Sequence, residues 1–578
     1  MNQHIHYESH SINERLELLY SKEDAQKAYK EIEKLIQKYR KIIVSKEYHL
    51  SEKDTILITY GDQLQCFNEA PLETLLNFLN ANLKGIVNSV HILPFYPYSS
   101  DDGFSVINYS EVDPKMGSWK EIEAISGEYR LMVDGVINHV SQFSNWFKAY
   151  LANDEEYKDF FIELDPATDL SKVVRPRTTP LLSEFRDNSG KLKNIWTTFS
   201  KDQVDLNYKN YKVLVAVLEA LFYYIQKGAT LIRLDAIAFI WKEVGTHCVH
   251  LPQTHEIIQL MREVLHKVAP EVIIITETNV PHDENISYFG SGKDEAQMVY
   301  NFALPPLLAH SVLKGNTQKL TTWAQTLALP SDKVCFFNFT ASHDGCGLRP
   351  VSEILTNEEI ENLVKNTKAH GGLISYRDTE EGKTPYEINC SYIDILSHPD
   401  DEDFLRIKRM LLTQAVVLAM PGVPGIYFHS LVGSENYFEG VKLTGMNRSI
   451  NREKMNFKYL HEKLTQDGNT QKAIFTSYKR LISIRTHEAS FNPFGKFEFL
   501  ELEKRIFSVI QHSLDKSESI LAIHNFSNDI ISLKLPSNIE YPLEDLLSPF
   551  KIESSQTIEL QPYQIMWLKY QTQKKDSK

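Results

Sequence analysis

Ionisable side chains interrupt the apolar runs of this chain at a few fixed places. Asp62 closes the run TILITYGD. Asp134 and His139 follow YRLMV, and Arg233 and Asp235 sit inside LIRLDAIAF. Glu277 and Asn279 end EVIIITETN, and His343 and Asp344 follow VCFFNFTAS. Residues two apart on a strand share a face, so Arg233 and Asp235 stand side by side, cation against anion. Several carboxylates with two histidines and an arginine are the groups that breaking a glycosidic bond requires. One carboxylate attacks the sugar carbon or activates water, and another donates a proton, around an oxocarbenium-like transition state. A retaining pair stands roughly 5–5.5 Å apart, a spacing within reach of adjacent strands ending in Asp235 and Glu277. A single strand-end carboxylate more often caps a helix or a turn. Polar ends on five strands at once are not accounted for by capping.

The runs that carry these residues define the fold class. TILITYGD, SVHILPFYP, YRLMVDGVINH, ATLIRLDAIAF, EVIIITET, MVYNFALP, VCFFNFTASHD and GVPGIYFHS are eight short β-rich segments. Amphipathic stretches such as PLETLLNFLNANLK and KVLVAVLEALFYYIQKG separate most of them. Nearly continuous hydrophobic strands alternating with helices read as a parallel sheet covered on both faces. Eight such units predict an α/β fold closed as a (β/α)8 TIM barrel, whose C-terminal strand ends form the rim of the site. The barrel is assigned to residues 55–140 and 204–494. The polar, Pro- and Asp-rich segment 141–203 is read as a domain inserted after the third strand, and 351–405 as a loop-rich insertion before the last. Residues 1–54 form a helical extension expected to pack onto the body. Short strands over 495–570 predict a C-terminal β-sandwich, and 571–578 a disordered tail.

Composition narrows the function classes. The 578 residues carry 62 basic and 76 acidic side chains, a net charge of −14, with no basic stripe, which argues against a nucleic-acid binder. No apolar run is long enough to span a bilayer, and MNQHIHYESH has no signal-like apolar core, so no membrane partner and a cytoplasmic location are expected. The five cysteines (Cys66, Cys248, Cys335, Cys346 and Cys390) are scattered without a CxxC pair, so neither a zinc site nor a disulfide framework is expected.

DGVINH, RLDAIAF, TETN and ASHD resemble, in order, the four short regions of the α-amylase superfamily (glycoside hydrolase family thirteen), over about residues 55–460. The resemblance implies Asp235 as nucleophile, Glu277 as general acid/base and Asp344 as the third carboxylate, which stabilises the transition state. Arg233 would orient Asp235 and keep it ionised. His139, His343 and Asp62 would bind the glucosyl unit. ILPFYPYSSDDGFSVINYSEVDPKMGSW, TPYEINCSY and NRSINREK are similar to segments of the sucrose phosphorylase branch. That branch cleaves an α-glucoside with inorganic phosphate, by double displacement and with retention. Arg448, whose guanidinium can meet phosphate in bidentate fashion, and Tyr386 are the phosphate candidates.

The sucrose-specific pattern is broken where a leaving group or phosphate would sit. Asn279 stands for a typical His, Phe239 for a typical Tyr, and Glu387 for the Gln of the LYQVN loop. TETNVPHDENISYFG, ASHDGCGLRP and NRSINREK instead look like the glucosylglycerate phosphorylases of the same branch. A glycerate leaving group adds a carboxylate, so a further cation is expected. Arg349 is the first candidate, with Arg177 or Arg175 of the inserted segment as alternatives. Phosphorylases for sucrose, sucrose 6-phosphate or glucosylglycerol are the nearest other readings. A hydrolase or transglucosylase, or a non-catalytic amylase-like domain, is more distant. The expected partners are a small sugar and phosphate, a co-substrate; no cofactor and no metal are expected, and the chain would be a monomer or homodimer.

Overall fold

The computed structural model describes residues 10–45, 47–379, 382–537, 539–554 and 557–572; most of the expected tail lies outside them. Eight parallel strands close into a barrel: β1 (Ile56–Thr59), β2 (Ser89–Ile92), β3 (Arg130–Gly135), β4 (Ala229–Leu234), β5 (Ile273–Thr276), β6 (Met298–Tyr300), β7 (Cys335–Asn338) and β8 (Val423–Tyr427). Each pairs with its neighbours in chain order, and β8 pairs back onto β1 through Ile56 opposite Gly425. Runs such as ILIT, IIIT and CFFN are buried at every position, because one face fills the barrel and the other meets the surrounding helices. Gly425 is required in β8: a Cβ there would lie 2.3 Å from the ring of Phe337, which occupies that space.

Helices α1 (Ile12–Leu19) and α2 (Lys22–Tyr39) precede the barrel, and both begin at a serine whose hydroxyl accepts a backbone N–H of the first turn. Their apolar stripes are buried. Tyr39 stacks on Phe222 of α3 (Tyr211–Gln226), with ring centroids 5.0 Å apart. Arg15 reaches Glu256 of α4 (Pro252–His266) at 2.8 Å and also contacts Gln259. The extension is therefore part of the body.

Between β3 and α3, strand His139–Ser141 pairs antiparallel with Gln203–Asp205 across the base of the inserted segment. A hairpin, Leu182–Arg186 with Leu192–Trp196, forms its body. The segment 351–405 is not loop-rich. It holds a helix (Asn357–Ala369) with a Thr356/Glu359 capping box and a hairpin (Leu373–Thr379, Gly382–Asn389) whose second strand pairs with Cys346–Gly347. Its polar, Glu-rich composition concealed the regular backbone pairing. After β8, a six-stranded sheet (from Phe497–Glu503 to Ile565–Gln571) and a two-stranded one (Ile531–Lys534, Thr557–Leu560) enclose a second core. That core includes Ile510, Leu521, Leu533 and Leu568.

Candidate active site

The polar strand ends converge at the C-terminal mouth of the barrel, around one guanidinium. Arg233, the penultimate residue of β4, is 2 % exposed and lies between the rings of Phe104 and Tyr300. Its Nη1 donates to Asp134 at 2.5 Å and to Asp235 at 2.9 Å. Its Nη2 lies 3.8 Å from Glu277 and 4.0 Å from Asp344. Four carboxylates from β3, β4, β5 and β7 are thus gathered on one cation. It sits beneath the cavity wall and does not line it, so Arg233 is a support for the site and not a substrate contact, as the resemblance implied.

Ala236 follows Asp235 in the left-handed region, at φ 48°, ψ 33°. For an alanine that conformation costs about 1–2 kcal/mol. It turns the Ala236 N–H to donate to Glu277 Oε2 at 3.0 Å, fixing the second carboxylate against the first. Strain at a site of this kind is characteristic of a positioned functional group.

The environments separate the carboxylates. Burial pushes Glu277 up to about 7, against the pull of Arg233 and with the help of the Asp235 and Asp344 charges. Burial also raises Asp235, and Arg233 opposes that rise without overcoming it. Arg233 orients Asp235 as expected and favours its ionised form, but desolvation is the larger influence on that carboxyl. Burial raises Asp344 too, but Arg448, His343, Arg233 and Arg452 together outweigh it and hold that carboxyl well below the usual range. Neighbouring carboxyls driven apart in this way divide acid from base.

The cavity is lined by His139, Asp235, Phe239, Glu277, Asn279, His343, Asp344, Arg349, Tyr386 and Arg448 among the residues singled out from sequence. His343 stacks face to face on Phe104 at 4.5 Å, and burial lowers it to about 3, so it is neutral. Its Nδ1 has no hydrogen-bond partner among the described residues, nor has Asn279 Oδ1. A Cβ at Gly347 would meet Asn279 Oδ1 at 2.4 Å, so only glycine leaves that amide its place. Phe239 packs edge-on against Phe199.

Three assignments move. Asp62 lies in the turn after β1, where its carboxylate binds Lys454 at 2.7 Å, and it does not line the cavity. Glu387 is buried behind the wall, where it holds Arg448 in a two-point pair at 2.9 and 2.6 Å. Arg448 also meets Asp344 at 2.5 Å, so its charge is already answered by two carboxylates. Arg175 donates to the Thr178 and Thr179 carbonyls and lies off the cavity, whereas Arg177 lines it, 3.3 Å from Asp101.

Sequence reasoning missed Asp101, Gln203 and Arg452. Asp101 lines the cavity from a run with φ of 51°, 54° and 111° over Asp101, Asp102 and Gly103. The dipeptides of SSDDGF are the signal, since Asp and Gly tolerate that region best. Gln203 is carried in by the pairing of Gln203–Asp205 with His139–Ser141, and its Nε2 lies 3.3 Å from His139 Nε2. Arg452, in NRSINREK, donates to the His343 carbonyl and lies 3.6 Å from Asp101.

A family model for the α-amylase catalytic domain matches residues 82–369. A glucosylglycerate phosphorylase of Spirochaeta thermophila is 43% identical over 576 residues, covering 96% of this chain and 98% of that one. The chain belongs to the α-amylase family. Within that family it is also similar to the glucosylglycerate phosphorylase of Allomeiothermus silvanus, 49% identical over 77% of this chain and 80% of the relative. The fold is shared with the crystal structure of a sucrose 6F-phosphate phosphorylase from Thermoanaerobacter thermosaccharolyticum. That match has a TM-score of 0.73 at 24% identity, over 85% of this chain and 96% of that one.

Proposed function

We propose that the protein is a retaining glucosylglycerate phosphorylase, converting 2-O-α-glucosylglycerate and phosphate reversibly to α-glucose 1-phosphate and D-glycerate. The observation that carries the reading is the placement of Asp235 and Glu277 on the same arginine in the cavity, with Glu277 raised by burial to about 7. The identity to the two phosphorylases supports the choice of substrate.

Asp235 attacks the anomeric carbon. As the bond from that carbon to the glycerate oxygen breaks, Glu277 gives its proton to that oxygen, leaving a glucosyl ester on Asp235 and an ionised Glu277. A phosphate oxygen then attacks the same carbon, the ester bond to Asp235 breaks, and Glu277 recovers a proton from phosphate. Two inversions give net retention. Asp344, held ionised, stabilises the positive charge of the transition state, and His139 and His343 hydrogen-bond the sugar hydroxyls. Asn279, Phe239 and Tyr386 face the leaving group.

Arg349 meets the glycerate carboxylate; its single ion pair among the described residues, 3.3 Å to Glu284, leaves it less committed than Arg448. Arg448 and Tyr386 serve phosphate, which Arg448 reaches by sharing its guanidinium with Asp344 and Glu387. A cytoplasmic location suits a reaction that makes a sugar phosphate.

The test is a panel of acceptors. Glucose 1-phosphate is supplied with glycerate, glycerol, fructose or fructose 6-phosphate, and released phosphate is measured for the wild type and Arg349→Ala. Release with glycerate, reduced on the order of 10–100-fold by Arg349→Ala, supports the reading. Release with fructose alone, or equal losses on charged and neutral acceptors, contradicts it.

A further inference from the structure

Arg349 is mostly buried at the cavity wall, with its side chain 16 % exposed, and the carboxylate beside it belongs to the protein. Its Nη2 lies 3.3 Å from Oε2 of Glu284, on the short helix His282–Ile286 that follows β5. Glu284 is more open, 43 % exposed, and is not part of the cavity lining. On its other side the same oxygen lies 3.2 Å from His250 Nε2. His250 is held in the left-handed region, at φ 54°, and its Nδ1 lies 2.8 Å from the hydroxyl of the fully buried Tyr288. Tyr288 in turn stacks on His255, which is 2.9 Å from Glu295. This ordered chain of side chains packs behind the Glu284 oxygen, with His250 Nε2 against it but making no hydrogen bond among the described residues. Burial lowers His250 to about 4, so it is uncharged near neutral pH, and Arg349 is the full cation that answers Glu284.

We propose that Glu284 is a positioning residue that acts through Arg349: an internal carboxylate that pairs with the guanidinium while the acceptor position is empty and competes there with the carboxylate of the incoming glucoside. The inference rests on the reading of glycerate as the leaving group and deepens it by naming the group that sets how tightly an anionic leaving group is held. Two carboxylates facing one cation repel each other, so the bound acid gains less from Arg349 than it would from an unpaired arginine. A neutral leaving group does not meet this competition. Glu284 therefore tunes the preference for charged over uncharged glucosides without touching either.

The charge is removed with little change of shape in Glu284→Gln and kept, one methylene shorter, in Glu284→Asp. Phosphorolysis of glucosylglycerate and of glucosylglycerol is followed at saturating phosphate, reading KM, or Ki where a compound is not turned over. Glu284→Gln is expected to lower the KM for glucosylglycerate roughly three- to tenfold, the scale of a partly exposed ion pair, and to leave the constant for glucosylglycerol within about twofold. Glu284→Asp is expected to stay near the wild type. An unchanged or raised KM for glucosylglycerate in Glu284→Gln, or equal factors on the two compounds, overturns the inference while the functional reading stands. A wild type that does not turn over glucosylglycerate removes the functional reading and this inference with it.

Discussion

Glu277 shows what the site demands of one residue. Its carboxyl is raised from the usual glutamate range to about 7 chiefly by burial, so the fold favours its protonated form. Two consequences carry opposite signs. As an acid for glycoside cleavage it is competent below about pH 7 and is lost as pH rises through that value. As a contributor to stability, a group with a raised folded-state pKa favours the fold fully only below its unfolded value near 4.5, and that favour is lost as pH rises toward 7. Glu277→Gln should therefore be catalytically crippled yet more stable than the wild type at pH 8, by up to an order of 3 kcal/mol, with the gap closing toward pH 5. Denaturant midpoints of the two proteins at both pH values measure this; a gap independent of pH would contradict the assignment. At this scale the sequence was informative where a residue's own strand placed it, as for Asp235, Glu277, His343 and Asp344. It was uninformative where a distant element does the placing. Gln203 arrives by a strand pairing across the inserted segment, and Glu387 is turned away because it answers Arg448. No spacing along the chain encodes either.

Among the elements, the junction of barrel and inserted segment is held by a buried polar network. Lys242, 3 % exposed and five residues beyond Ile237, places its Nζ 2.7 Å from Asp205 Oδ2 and 2.7 Å from Asn138 Oδ1. Asp205 also accepts from the Thr198 backbone N–H and hydroxyl, each at 2.7 Å. Asn138 Nδ2 lies 3.2 Å from His139 Nδ1. The chain after β4, the strand Gln203–Asp205 and the cavity-lining His139 are thereby locked together. Removing one member of a buried ion pair leaves the other charge uncompensated. Lys242→Met should cost about 3 kcal/mol in guanidinium unfolding and weaken turnover by loosening His139. A loss below about 1 kcal/mol would mean that Thr198 and Asn138 suffice for Asp205. The eight strands themselves were legible because parallel barrel strands are apolar on both faces. The hairpin Leu373–Thr379 with Gly382–Asn389 was not, because its strands hold few apolar residues and carry Arg377, Asp378, Lys383 and Glu387, so no continuous apolar run marks them.

The whole molecule is tied around the barrel from both ends. The principal core runs without a break from Ile12 and Leu16 of α1, through the strands, to Trp567 near the C-terminus. Arg485, fully buried, donates to the carbonyls of Asp54, Leu418, Gly422 and Phe491, joining the chain before β1, the approach to β8 and the start of the C-terminal region. With a net charge of −14, the chain as a whole repels the two anions it is proposed to take, and Arg177, Arg349 and Arg448 bring cations to a cavity also lined by Asp101, Asp235, Glu277 and Asp344. The central claim is retaining phosphorolysis of glucosylglycerate through Asp235 and Glu277. Its most direct test is to incubate the protein with 2-O-α-glucosylglycerate, with and without phosphate, and follow the sugar by proton and phosphorus NMR. The account predicts α-glucose 1-phosphate and glycerate only when phosphate is present, and neither from Asp235→Asn. Free glucose formed equally with and without phosphate, or β-glucose 1-phosphate as the first product, would contradict it.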